Sequence, residues 1–194
     1  MATSETVADT VAPNRFADTF GYPKGRAVTK LKGYMTPFVQ EFIQHAPFCV
    51  LASSDQDGRC DASPKGGAPG FARVLDAQHL LLPDVAGNKL FQSYQNMDSN
   101  PRVALLFFIP GVNETVRING KAIIVDKQEL DRLHIALSLQ FTDDNSKLLQ
   151  GILIEVEEAY AHCPRALKFS SLWDVQTIAA NQDTRPISDR PYDS

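Results

Sequence analysis

The stretch from Arg102 to Ile109 is almost wholly apolar and stops at Pro110-Gly111, a strong turn pair. Such a run suits a central β-strand with both faces buried. Thr115 to Val125 then reads as a second, long strand, bent at Gly120. Thr115, Arg117 and Asn119 point to one side of it, and Val116, Ile118 and Gly120 to the other. The chain must therefore build a sheet, and the remaining segments say of what kind.

Phe48 to Ala52 is apolar and partly β-branched, Asp55 to Gly58 supplies turn chemistry, and Arg59 to Ser63 returns as the second limb of a hairpin. Phe71 to Leu75 and His79 to Leu82 repeat the pattern around a polar turn at Asp76–Gln78, and Gly151 to Val156 reads as a closing strand. Helical spacing interrupts these strands. It covers Thr36 to Ala46, with Thr36 as N-cap, Pro37 at the first position, and Phe38, Phe42 and Val39 or Ile43 on one face. It recurs over Asn88 to Met97, where Leu90, Phe91, Tyr94 and Met97 share a face, and over Lys127 to Ser138, where Leu130, Leu133, His134 and Leu137 do. Pro164 to Trp173 reads as a short helical tail. Six or so antiparallel strands with two or three inserted helices favour a small barrel, because the helix–strand alternation of a parallel sheet is missing.

The organisation expected is an N-terminal arm over 1–35, flexible or packed across a partner, a barrel domain over 36–175, and a polar, Pro-rich tail over 176–194. A length of 194 residues with 43% hydrophobic and 22% charged residues suits one globular domain. A net charge of −4 without long basic runs argues against nucleic acid as partner. No apolar stretch approaches the ~20 residues of a membrane span, and the polar start Met1–Thr6 lacks the pattern of a secretory signal. Three scattered cysteines, Cys49, Cys60 and Cys163, include no Cys-x-x-Cys pair, and a reducing cytoplasm is the expected location. His162-Cys163 is the only adjacent pair of metal-ligand types, too few for a closed zinc site, so no metal is expected.

Conventional nucleotide-binding and hydrolase motifs are absent. Three polar clusters remain. In Ser63-Pro64-Lys65-Gly66-Gly67 a hydroxyl and an ammonium leave a strand end where glycines let a ligand approach; a phosphate site and a solvated loop both fit. In Pro83-Asp84-Val85-Ala86-Gly87-Asn88-Lys89 a strand gives way to a helix start, which can hold an anion with Lys89 or be simply capped by Asn88. In Glu114 to Gly120, Arg117 and Asn119 share a strand face that either meets a polar ligand or is wet. Trp173, the only tryptophan, can cover an aromatic ring or serve as packing.

In their order along the chain these clusters resemble the pyridoxamine 5′-phosphate oxidase-like family of FMN-binding split barrels. The carriers are Ser63-Pro-Lys-Gly66, Pro69-Gly-Phe71, Leu81-Leu-Pro-Asp84 with Gly87-Asn88, Pro110-Gly111, Glu114-Thr-Val-Arg-Ile-Asn-Gly120, His162-Cys-Pro-Arg-Ala166 and Leu172-Trp173, spanning roughly residues 38–173. The resemblance implies a mainly β fold with inserted helices, a six-stranded antiparallel split β-barrel. It implies a homodimer with FMN in the dimer groove; the reading favoured on it is a flavin-dependent oxidoreductase acting on an unknown small molecule, with NAD(P)H as a candidate electron donor. Cofactor residues are then Ser63, Lys65, Pro83, Asp84, Asn88, Lys89, Arg117 and Trp173, and no catalytic side chain stands out. The Arg- and Lys-rich phosphate strand of the better-known oxidases is reduced here to Arg59 and Lys65, and their C-terminal Arg and His pattern is missing. Pyridoxamine phosphate is therefore not the implied substrate. Alternatives on the same barrel are a non-catalytic flavin or haem carrier, with His162 or His134 as haem ligand, and a deazaflavin-dependent reductase.

Overall fold

The computed structural model describes residues 15–85, 90–143 and 146–187. Its strands are β1 (Phe48–Ser54), β2 (Cys60–Gly66), β3 (Arg73–Val74), β4 (His79–Val85), β5 (Arg102–Phe108), β6 (Thr115–Asp126) and β7 (Leu148–His162). All pair antiparallel in one sheet of order β2-β1-β5-β6-β7-β4-β3. Six of them are substantial; Phe71–Leu75 contributes only the two-residue β3. Four strands separate β2 from β4 in this order, yet Lys65 on β2 and Asp84 on β4 are in contact. The sheet therefore curls until its two sides nearly meet, which makes it a barrel split between β2 and β4.

Alternation explains the core. Along β1 and β5 the inward residues Cys49, Leu51, Val103, Leu105 and Phe107 are buried, while Val50, Ala52, Ala104 and Leu106 are only half-buried. β5 is central, as expected, but it buries one face rather than two. The expected bend in β6 is a bulge: register shifts between Asn119 and Gly120, where β7 carries an extra residue, Glu157. A Cβ on Gly120 would stand 2.1 Å from the Glu155 carbonyl oxygen, so only glycine fits.

Among the described residues seven helices surround the sheet: α1 (Arg15–Phe20), α2 (Arg26–Thr29), α3 (Pro37–His45), α4 (Gln92–Ser99), α5 (Lys127–Arg132), α6 (Arg165–Phe169) and α7 (Val175–Asp183). In α3 Thr36 caps the Val39 N–H, and Val39, Phe42 and Ile43 enter the core. Phe38, expected on that face, is exposed, because three buried positions already span the contact arc.

Other boundaries differ from the sequence reading. α5 stops at Arg132 instead of Ser138. The Ile135 N–H bonds the Leu130 carbonyl and the His134 N–H that of Asp131, with His134 left-handed at φ 54°, so a Schellman motif ends the helix. β7 runs on to His162 rather than ending at Val156, because β6 offers it ladder partners throughout. The tail contains α7, capped by Asp174 through the Thr177 N–H. In the N-terminal arm, Lys32 bridges Ala159 on the free side of β7, and the Met35 N–H bonds the Ala77 carbonyl. Among the described residues no helix is long and apolar enough to cross a membrane.

Candidate functional site

A cavity of about 460 Å³ opens at the seam where the barrel is split. The two-residue period of β2 turns Asp61, Ser63 and Lys65 to one side, each half-buried between exposed neighbours. Pro83 and Asp84 come from the end of β4, Phe91, Ser93 and Tyr94 from the start of α4, and Leu137 to Leu139 from the segment after α5. Four of the residues expected to bind a cofactor, Ser63, Lys65, Pro83 and Asp84, thus share one cavity.

Its polar groups are closely connected. Lys65 Nζ donates to Asp84 Oδ2 at 2.7 Å, and Tyr94 Oη donates to the same oxygen at 2.8 Å. The Val85 N–H bonds Asp84 Oδ1 at 3.1 Å, and Ser93 Oγ donates to Asp61 Oδ2 at 2.5 Å. Burial, reinforced by the Asp84 charge, pushes the Tyr94 phenol far above its ordinary range, so it stays protonated. Behind Lys65 lies Cys49, its register partner on β1; burial raises that thiol to about 12 against the opposing pull of Lys65, so it is not a nucleophile.

The glycines after Lys65 are expected to make room for a ligand. Gly67 instead makes room for the chain itself: a Cβ there would lie 2.4 Å from the Ser138 carbonyl oxygen. That carbonyl accepts from the Ala68 N–H at 2.9 Å, which brings Leu137–Leu139 over the cavity.

Helix α4 starts at Gln92, four residues later than expected. Phe91 holds the N-cap position with φ 53° and no side-chain cap bond. A left-handed aromatic residue is strained, and here it turns Leu90 and Phe91 toward the cavity instead of along a helix face. Gly87, Asn88 and Lys89 lie outside the described residues. Arg117 does not line the cavity; its Nη1 donates to Tyr160 Oη at 3.0 Å on the outer face of the sheet. Trp173 Nε1 donates to the Val112 carbonyl at 2.9 Å.

Sequence reasoning does not single out Asp61, Tyr94 or Gln150, the last of which lines the cavity from β7. Asp61 has a usable signal, since it stands two and four residues before Ser63 and Lys65 on a strand. Tyr94 and Gln150 have none, because what defines them is a contact made through the fold.

With this cavity and fold in place, comparison with known proteins is informative. Residues 35–163 match the family model for pyridoxamine 5′-phosphate oxidase. The chain belongs to the pyridoxamine 5′-phosphate oxidase family. No curated protein matches it significantly in sequence. Among solved structures, a Lactobacillus delbrueckii protein assigned as a pyridoxamine 5′-phosphate oxidase is 21% identical, with TM-score 0.50, covering 68% of this chain and 98% of that one. HupZ from Group A Streptococcus is 15% identical, with TM-score 0.46, covering 64% and 90%. An F420 reductase is 20% identical, with TM-score 0.39, covering 66% and 98%. These likenesses concern the fold. Within the pyridoxamine 5′-phosphate oxidase family match, β2, β4 and α4 all fall inside residues 35–163, so the whole described seam lies in the matched region.

Proposed function

We propose that the chain is a flavin-binding oxidoreductase that holds FMN at the barrel seam and acts on a small molecule. The observation that carries this reading is the seam cavity, where Ser63 and Lys65 project from one side of the split and Asp84 from the other. Its volume of about 460 Å³ lies within the range of cofactor sites. Its lining joins hydroxyls, the Lys65 ammonium paired with Asp84, the Asp61 carboxylate held by Ser93 and the rings of Phe71, Phe91 and Tyr94, which suits a molecule with an anionic end at Lys65 and an aromatic end. In this proposal Lys65 and Ser63 hold the phosphate and ribityl oxygens, joined by Asn88 and Lys89, as the resemblance implies. Pro83 and the aromatic rings exclude water, and Asp84 keeps the Lys65 ammonium oriented while holding the Tyr94 proton. Bound flavin would supply the hydride or electron transfer.

The same reading takes the working form as a homodimer. The open outer face of β1 and β5 supports it: Phe48 is 39% exposed, and its ring centroid lies 5.9 Å from that of Phe108, beside half-buried Val50 and Leu106. Arg117 and Trp173, outside the seam cavity of one protomer, then belong to surfaces a second copy can meet.

The test is the absorption spectrum of the purified protein, followed by FMN titration of the apoprotein. Flavin bands are expected, with Lys65→Ala weakening FMN binding by ~1.5–3 kcal/mol through loss of a charged hydrogen bond. A Soret band, or unchanged FMN affinity in Lys65→Ala, would overturn this placement. Sedimentation velocity should give a dimer mass.

A further inference from the structure

The charges that line the seam cavity do not balance. Among the described residues its lining sets two carboxylates, Asp61 and Asp84, against one ammonium, that of Lys65. Lys65 and Asp84 neutralise each other through their 2.7 Å ion pair. Asp61 forms no ion pair among the described residues. It stands four residues before Lys65 on the same side of β2, about 13 Å away along the strand, so the Lys65 ammonium, turned to Asp84, does not serve it. The charged side chains of the outer groove beside it, Arg102 and Glu157, pair with each other.

Asp61 is nevertheless held in place. Buried Ser93 donates to its Oδ2 at 2.5 Å. A neutral hydroxyl fixes the carboxylate without cancelling its charge, and a half-buried carboxylate left without a counter-ion costs stability. The turn of chain that brings Ser93 there also carries Phe91 and Tyr94 into the lining, with ring centroids 6.2 Å apart and the rings edge to face. Aromatic faces attract cations as a carboxylate does. A planar cation can bond the carboxylate in its own plane while a ring covers its face. The carboxylate and the rings therefore select the same chemistry.

We propose that the Asp61 end of the seam cavity binds an organic cation with a planar N–H-bearing head, an amidinium or guanidinium, hydrogen-bonded to Asp61 and covered by Phe91 and Tyr94. Ser93 is the positioning residue that aims the carboxylate. The flat head is the handle by which the ligand is held, not the bond that reacts. An anionic group at Lys65 and a cationic head at Asp61 then occupy opposite ends of one cavity. In calling this ligand the substrate, the proposal rests on the flavin reading; the binding itself does not.

The experiment uses benzamidine and benzamide, flat aromatic molecules of nearly the same shape, of which only the first is a cation. Each is titrated by calorimetry into the full-length protein as purified, at matched ionic strength. Benzamidine is expected to bind saturably and at least about tenfold more tightly than benzamide. Asp61→Asn keeps an acceptor for Ser93 but removes the charge, and should shrink that preference to within about twofold. Ser93→Ala keeps the charge but lets the carboxylate turn, and should weaken benzamidine at least about threefold while leaving benzamide unchanged. Lys65→Ala, which tests the flavin reading, should keep the preference, and Asp61→Asn should not weaken FMN binding, so the two readings fail separately. Equal affinity for the two probes, or binding of neither, would overturn the proposal. So would a preference unchanged in Asp61→Asn, or in Ser93→Ala should the first variant not fold.

Discussion

Lys65 and Asp84 form the ion pair that spans the seam, Nζ to Oδ2 at 2.7 Å, with side chains 17% and 13% exposed. Four strands separate theirs in the order of the sheet, so this contact joins the two sides of the split barrel. If flavin binds at the seam as proposed, the pair would also set how much of the Lys65 charge its phosphate meets.

Asp84→Asn keeps the shape and an acceptor for Tyr94 but removes the carboxylate charge. Lys65 is left charged and without its counter-ion, so the apoprotein should lose ~2–4 kcal/mol, somewhat below the penalty of a completely dry pair. FMN should gain over riboflavin by roughly tenfold, because the ammonium is released to the phosphate. Urea unfolding and paired titrations check this; an unchanged FMN-to-riboflavin ratio counts against Lys65 as the phosphate group.

Tyr94 gives stability a pH signature. Its folded pKa is raised above the ordinary value of 10.0. A raised pKa means that the folded state holds the proton more tightly, so the contribution is complete below the unfolded value and is lost as pH rises through the folded one. Stability should therefore fall above about pH 10. Tyr94→Phe should flatten that fall, as read by urea midpoints between neutral and alkaline pH.

His134 occupies the left-handed position that ends α5, at φ 54°. Glycine adopts this conformation without the Cβ penalty, so His134→Gly should stabilise the protein by about 1 kcal/mol. Thermal and urea midpoints test it; a loss of stability would mean that the imidazole makes a contribution larger than the backbone strain.

Gly66 and Gly67 should respond differently to alanine. At Gly66 the added Cβ would meet the Pro47 carbonyl oxygen at 3.3 Å, a contact a small shift relieves. At Gly67 it would meet Ser138 O at 2.4 Å and Phe71 Cβ at 2.6 Å. Gly67→Ala should therefore cost about 2–3 kcal/mol, as overpacking does, and Gly66→Ala well under half of that. Equal losses in unfolding experiments would contradict the packing at Leu137–Leu139.

The strands were legible because their information is local. Alternation along β5 and β6 and turn formers at Asp55–Gly58 and Pro110-Gly111 each act within a few residues. The bend at Gly120 was legible too, since glycine within a strand marks close approach. The length of β7 was not, because Glu157 and Glu158 break its apolar pattern; Glu157 is the bulge residue, and pairing with β6 resumes at Glu158. The end of α5 was hidden for a related reason: its C-cap uses histidine where glycine is the usual signal. At the seam, Ser63, Lys65, Pro83 and Asp84 could be proposed from chemistry and resemblance. That Lys65 is paired with Asp84, and that Arg117 faces away from both, depends on how far the sheet curls.

The partners of β4 carry a consequence for synthesis. β4 ladders only with the two-residue β3 and with β7, whose first residue is Leu148. Strands β2, β1, β5 and β6 can zip together as the chain emerges from the ribosome. Asp84 has no durable place until the last strand arrives some sixty residues later, since long-range pairings form late. The seam should thus be the final part of the molecule to become binding-competent. Stalled nascent chains ending before Leu148 should not retain flavin, whereas those extended past Cys163 and clear of the exit tunnel should. A protein assembled in this order opens its seam to ligands only after its scaffold has been proofread by folding.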